Sequence, residues 1–204
     1  RPDRLALFGY AHVPWFKKHQ KLIDEAVLPD REGRMAQSAR AAALIRAAGY
    51  EAIGLDHFAL PGDSLALAAA RGALRRNFQG YTDDPFETLI GLGPSSISRF
   101  NEGYSQNTTA MGVYRRAVEA GRLPVSRGFE LSDEDRVRAW VIERLMCDFG
   151  FSANEISGRF GEAAQKVLAE ASDIQTRLPD VFSKEGNNFI VRPEVRPQIR
   201  SVAA

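Results

Sequence analysis

Short apolar runs broken by polar and aromatic turns mark the first half of the chain, and helical spacing marks its last third. Residues 4–10 (Arg-Leu-Ala-Leu-Phe-Gly-Tyr) are short and mostly apolar, and Ala11-His12-Val13-Pro14 stops them, which predicts a buried strand. A linker with Lys17, Lys18, His19 and Pro29 follows. Residues 34–48 are alanine-rich with apolar positions at helical spacing, and Gly49 stands where a C-cap glycine belongs. Residues 50–55 predict a second buried strand, ending in Asp56-His57-Phe58. Strand, helix and strand in this order predict a βαβ unit of a parallel sheet. In such sheets functional groups sit beyond the carboxyl ends of the strands. Those ends are residues 9–12, 56–58 and 95–97, and they are expected to face one cavity.

The stretch 76–98 departs from both patterns. Arg76-Asn77-Phe78-Gln79-Gly80-Tyr81-Thr82 crowds amides and aromatics onto one glycine, and an acidic loop leads to an apolar run interrupted by Gly91 and Gly93. Glycine within a strand pattern marks a bulge or a close backbone approach. Exposed backbone beside a polar-aromatic turn suits a flat, polar small molecule, and a glycine-bent strand in an ordinary core is the alternative.

Further helices are predicted over 64–71 and 108–120, the second closed by Gly121 and Pro124. Composition shifts near Leu131. Ser132 to Asp135 reads as a capping box with Asp in place of Glu, opening a helix through Cys147. Ser152 is expected to cap a second helix, and residues 162–177 form a third. Residues 181–191 predict a hairpin turning on Gly186-Asn187-Asn188. Three helices and a hairpin make a winged-helix pattern.

Composition narrows the function classes. With 204 residues, 44% hydrophobic and 26% charged, the chain can bury one good core or two small ones. A formal net charge of +1 gives no global pull toward nucleic acid or an anionic membrane. No apolar run approaches the roughly 20 residues of a bilayer crossing. The single cysteine, Cys147, excludes an internal disulfide framework and fits a reducing cytoplasm. Arg1 in place of Met, and residues 200–204 without a C-cap, read as cut ends.

The candidate chemistry is sparse. His12 and His57 stand at strand ends, where they could serve as acid–base groups; two histidines without a third ligand make a weak metal signal, and hydrogen-bonded structural histidines are the expected reading. Cys147 lies among Leu145, Met146 and Phe149, as a buried small hydrophobe would. Asp56 and His57, as adjacent strand residues, are expected to point to opposite faces and not to cooperate. Arg136, Arg138 and Arg144 share their helix with Asp133, Glu134, Asp135 and Glu143, a mixed solvated face.

Four blocks resemble one known family: Phe8-Gly9-Tyr10-Ala11-His12-Val13-Pro14, Gly54-Leu55-Asp56-His57-Phe58-Ala59, Arg76-Asn77-Phe78-Gln79-Gly80-Tyr81-Thr82 and Val141-Ile142-Glu143-Arg144-Leu145-Met146-Cys147. They are similar, in order and in register, to the oxygen-independent coproporphyrinogen III oxidases, radical S-adenosylmethionine enzymes of haem biosynthesis. The resemblance covers residues 1 to about 149, and more loosely the remainder. It departs at Arg75, where the family usually has His, and at Leu60, where Arg is common. It implies an α/β fold in which residues 1–130 are later parts of a partial TIM-type (radical SAM) barrel. Residues 131–204 are then a small helical, winged-helix-like domain.

By the same resemblance, Ala11 and Ile97 match positions that contact S-adenosylmethionine, and Phe78, Gln79 and Tyr10 match positions around a second one. The family holds a four-iron, four-sulfur cluster on three closely spaced cysteines. Only Cys147 is present here, so the resemblance implies a C-terminal portion whose cluster is bound by a missing N-terminal part, inactive alone. In the intact enzyme a 5′-deoxyadenosyl radical takes hydrogen from a propionate of coproporphyrinogen III. Carbon dioxide and an electron are then lost to leave a vinyl, twice over, giving protoporphyrinogen IX. The implied partners are that substrate and an electron acceptor, for a cytoplasmic monomer without nucleic acid or membrane span. No acid–base catalyst is assigned, and no metal ligand. Two rivals remain: a haem-binding relative without oxidase activity, whose distinguishing features lie upstream, and a winged-helix DNA-binding module, against which the interspersed acids argue.

Overall fold

The computed structural model describes residues 1–201, with side chains of Gln198, Arg200 and Ser201 outside the description; the uncapped terminus expected over 200–204 falls largely beyond it. The fold is mixed α/β. The chain divides into two compact units, Arg1–Asp83 and Asp84–Ala204.

The first unit runs β1 (Arg4–Ala6), α1 (Arg31–Ala47), β2 (Glu51–Ile53), β3 (His57–Ala59), α2 (Ser64–Ala70), β4 (Arg75–Arg76) and β5 (Tyr81–Thr82). Single turns of 3-10 helix at Lys18–Leu22 and Glu25–Val27 fill the linker before α1. The helix starts three residues earlier than its alanine-rich pattern, because Asp30 caps it by accepting the Gly33 N–H at 2.8 Å. It ends as expected. Gly49 takes φ 86°, its N–H reaches the Arg46 carbonyl, and the Tyr50 N–H reaches Ile45, which is a Schellman motif.

The expected parallel pairing is not formed. The strand after α1 turns back at Gly54, Leu55 and Asp56, and β3 inserts between β1 and β2 in the order β1-β3-β2, antiparallel to both. β1 and β2 therefore run in the same direction without touching. A left-handed Gly54 (φ 57°) makes this return possible, and a Cβ there would fall 2.1 Å from the Tyr81 ring. Ile53, Phe58, Leu65 and Leu74 form the buried centre of this unit.

The second unit contains β6 (Ile97–Arg99), β7 (Gly103–Asn107), α3 (Met111–Glu119), β8 (Val125–Glu130), α4 (Asp133–Asp148), β9 (Gly150–Ser152), α5 (Ala153–Phe160), α6 (Ala164–Arg177), β10 (Phe182–Glu185) and β11 (Asn188–Val191). β6, β7 and β8 form an antiparallel meander. The Ser132–Asp135 capping box is present in both directions at the start of α4. Ser152 occupies the N-cap position of α5 but makes no side-chain cap bond, contrary to expectation. The predicted hairpin closes tightly on Gly186 and Asn187, and β9 joins it as a third strand. Phe151 and Phe189 face each other across β9 and β11 with rings stacked at 5.0 Å. Val137, Ile156 and Val191 are fully buried beneath the helices. Burial pushes the Asp148 carboxyl up, against the pull of Arg144. Among the described residues no helix is long and apolar enough to cross a membrane.

Candidate functional site

The loop that leaves β1 carries Tyr10 and Ala11, and its shape is imposed from the linker. Gln20 is buried, and its amide spans the loop: Oε1 accepts the Val13 N–H at 2.6 Å while Nε2 donates to the Ala11 carbonyl at 3.0 Å. A second brace runs through His12. Its Nε2 lies 3.1 Å from Glu25 Oε1, and its Nδ1 lies 3.1 Å from the Tyr10 hydroxyl. An ionised carboxylate only accepts, so Nε2 carries the proton and the Tyr10 hydroxyl donates to Nδ1. That leaves the lone pairs of the phenol oxygen toward its surroundings. A cavity of about 430 Å³ opens here, lined among others by Phe8, Tyr10, His12, Arg34, Gln37 and Ser38.

Phe78 and Gln79 stand in the turn between β4 and β5, where both are exposed. The turn holds itself through Asn77, whose Oδ1 accepts the N–H groups of Gln79 and Gly80 at 2.8 and 3.2 Å. The Asn77 N–H closes the turn on the Gly80 carbonyl at 3.0 Å. The Gln79 amide makes no hydrogen bond among the described residues, so its donors and acceptor are unspent.

Behind this turn lies a pair that strand alternation does not anticipate. Asp56 Oδ1 and His57 Nδ1 are 2.7 Å apart, so the two do cooperate. Alternation fails because Asp56 belongs to the turn before β3 and only His57 to the strand. The imidazole packs edge-on to Tyr81 at 5.1 Å and to Phe8 at 5.9 Å. The Tyr81 hydroxyl accepts the Leu55 N–H at 3.1 Å and so pins the same turn.

Ile97 belongs to the second unit. It opens β6 rather than ending a strand, and the preceding apolar run makes only an isolated bridge between Leu89 and Arg99. Gly91 does mark a close approach, but the approaching group is the chain itself: a Cβ at Gly91 would lie 2.6 Å from the Ile97 carbonyl oxygen. Asn107, not singled out by the sequence, ties this segment by donating to the Gly91 and Gly93 carbonyls at 3.3 and 3.0 Å. Gln20 was likewise missed, since a glutamine in a polar linker carries no local signal. The role of Asn77 had one: an Asn three residues before a glycine favours a side-chain-closed turn.

Two cofactors are at issue. S-adenosylmethionine offers a carboxylate, an ammonium, a sulfonium and a flat purine. The free Gln79 amide, the Tyr10 oxygen and the exposed Phe78 ring are chemically suited to such groups. An iron–sulfur cluster is not matched: among the described residues no three His, Cys, Asp or Glu converge, and Cys147 is buried in α4.

Fold and site thus define an α/β protein presenting a polar-aromatic turn suited to a small polar ligand. No family model matches the chain. Curated relatives do. The chain is 47% identical over 203 residues to an oxygen-independent coproporphyrinogen III oxidase of Cereibacter sphaeroides, covering 99% of the chain and 45% of the relative. It is 45% identical over 204 residues to the enzyme of that name from Bradyrhizobium diazoefficiens, covering 100% and 45%. Among solved structures, coproporphyrinogen III oxidase from Escherichia coli, described as a radical SAM enzyme, superposes with a TM-score of 0.90 at 32% identity, covering 100% of this chain and 47% of that one. The chain belongs to the oxygen-independent coproporphyrinogen III oxidase family. It spans about 45% of the length of the curated relatives it matches.

Proposed function

We propose that these 204 residues form part of an oxidoreductase that converts two propionates of coproporphyrinogen III to vinyls, giving protoporphyrinogen IX. The support is 47% identity to a relative of that name, running through 99% of the chain. In this reading residues 1–130 are later strands and helices of a partial radical SAM barrel, and residues 131–204 are a winged-helix-like domain. S-adenosylmethionine, when bound, supplies hydrogen-atom abstraction, and a cluster held by residues outside these 204 starts it. The chain alone is then inactive, a cytoplasmic monomer that passes electrons to an acceptor when complete.

The chain's own residues bind and orient. Tyr10 presents an oxygen whose proton is committed to His12, an acceptor for a cationic ligand group. Gln79 supplies an amide able to donate to a carboxylate and to accept from an amine. Phe78 offers a ring face to a purine. Ala11 lends backbone held in place by Gln20, and Ile97 contributes an apolar contact. Burial of the ligand against the groups of the first unit keeps water out while the cofactor does the chemistry.

The test is a titration of the chain with S-adenosylmethionine followed by amide chemical shifts. Shifts at Tyr10, Ala11, Phe78, Gln79 and Ile97 are expected. Saturable binding that leaves these five unmoved would overturn the assignment.

A further inference from the structure

The linker between β1 and α1 braces Ala11 through the buried Gln20, and its outer side has no part in the cofactor reading. Between Trp15 and Val27 every residue except Gln20 is exposed. Trp15 is 79% exposed, Phe16 73%, Leu22 90% and Val27 74%. Single apolar side chains on a surface are ordinary, but several large ones in one short loop mark an interaction site. The loop is not slack. The Phe16 and Lys17 N–H groups both reach the Val13 carbonyl, at 2.9 and 2.8 Å, and the Ile23 N–H reaches Gln20 at 3.0 Å. Gln20 and the His12–Glu25 contact tie it down from within. These backbone donors are therefore spent internally, and the apolar side chains are held outward with little ordering left to do.

The charges of the loop select the partner. Lys17, Lys18 and Lys21 are exposed and form no salt bridge among the described residues; Lys17 only leans over the Phe16 ring at 4.9 Å. The acids that follow are committed at home: Asp24 accepts the Ala26 N–H at 3.0 Å, and Glu25 meets His12. Interfaces between proteins are depleted in lysine at their centres. A single nucleic-acid strand could stack on Trp15 and Phe16, but it has nothing to set against Leu22 and Val27. A bilayer surface uses all of them. Aromatic rings settle at headgroup depth, aliphatic side chains reach the acyl boundary, and lysine stems lie alongside with their ammonium groups at lipid phosphates. We propose that residues 15–27 are a docking loop for an anionic lipid bilayer, seating the chain on the membrane surface without crossing it. The attraction is local, since the whole chain carries a net charge of only +1.

Trp15 is one of two tryptophans, so Trp140→Phe makes it the sole fluorescent reporter. The whole chain is titrated at low salt with vesicles of phosphatidylcholine alone and of phosphatidylcholine with added phosphatidylserine. On the anionic vesicles the Trp15 emission is expected to move to the blue, to be quenched by lipids brominated on the acyl chain, and the chain to sediment with the vesicles. Changing Lys17, Lys18 and Lys21 to Gln should weaken binding by about a hundredfold, at roughly fivefold per lysine. Trp15→Ser with Phe16→Ser, followed by sedimentation, should weaken it by about tenfold or more. Leu92→Ser and Leu123→Ser, both removing side chains 86% exposed in the second unit, should change nothing. Sedimentation without a Trp15 shift, equal binding to neutral vesicles, or equal loss in the two leucine variants overturns the proposal. So does a blue shift that grows with protein concentration in the absence of lipid, which would make the loop a contact between copies of the chain.

Discussion

The Asn77 side chain accepts the backbone N–H of Gln79 at 2.8 Å, so the turn is held by one amide and presents the other. These neighbours should therefore respond differently to truncation. Gln79→Leu is expected to leave stability nearly unchanged, within about 0.5 kcal/mol, and to weaken S-adenosylmethionine binding about ten- to a hundredfold. Asn77→Ala should lower stability by roughly 0.5–1.5 kcal/mol, because two turn N–H groups lose their acceptor. Thermal melts and titrations on the same preparations check both. A large drop in melting temperature for Gln79→Leu, with normal binding by the folded remainder, would remove Gln79 from the site.

Gln20→Leu keeps the bulk of a buried side chain but strips partners from the Val13 N–H and the Ala11 carbonyl. A loss of about 1–3 kcal/mol is expected, since the orphaned groups sit partly out of water. Hydrogen exchange at the Val13 amide should speed up more than exchange in α2. Unaltered protection at Val13 would show that the loop is held by something else.

Asp63 predicts a pH effect with a definite sign. It caps α2 through the Leu65 N–H at 2.8 Å and takes Arg4 Nε on both oxygens at 2.8 and 2.9 Å. Burial opposes its ionisation, but the Arg4 hydrogen bonds, the Leu65 amide and the Arg4 charge outweigh it and hold the carboxyl below its ordinary range. A carboxyl lowered in the folded state stabilises above its unfolded pKa, about 3.9, and that contribution is lost as pH falls through the folded value. Asp63→Asn should thus cost about 1 kcal/mol or less at neutral pH, Arg4 being half exposed. The gap to wild type should close as the medium is taken below pH 4. Melting curves at pH 7, 5, 4 and 3 follow it, and a gap that widens with acid would refute the linkage.

The C-terminal helices should bind duplex DNA no more tightly than roughly 10⁻⁴ M, with further loss on adding salt. The arginines of α4 are engaged at home: Arg138 bridges Glu134 and Glu170 at 2.7 Å, and Arg144 meets Asp148 at 2.5 Å. Gel shifts with random and genomic duplexes decide it. Tight, sequence-dependent retardation would favour the DNA-binding alternative.

What could be read from the sequence was whatever is decided within a few residues. The Ser132–Asp135 box, the Gly49 and Gly121 helix ends and the Gly186-Asn187 turn are closed by local hydrogen bonds, and each was legible. β3 was not, because three residues, His-Phe-Ala, carry no period and say nothing about which strands they join. β7 and β8 were missed for a related reason. Gly-Tyr-Ser-Gln-Asn and Val-Ser-Arg-Gly-Phe-Glu are polar, β8 is exposed throughout, and their pairing rests on backbone bonds rather than on a buried face. In the site, the Asn77–Gly80 turn showed its composition, whereas Gln20 and the Asp56–His57 pair depend on a turn geometry that composition does not encode.

Cys147 is the one thiol in 204 residues, and it sits 7% exposed on α4 within the second unit. A thiol reagent can reach it only when that unit opens, so in the fast-reclosing regime the labelling rate reads the opening free energy of residues 84–204. The chain therefore carries a chemical clock for one of its units, and comparing that clock with a whole-molecule melt tells whether the two unfold together.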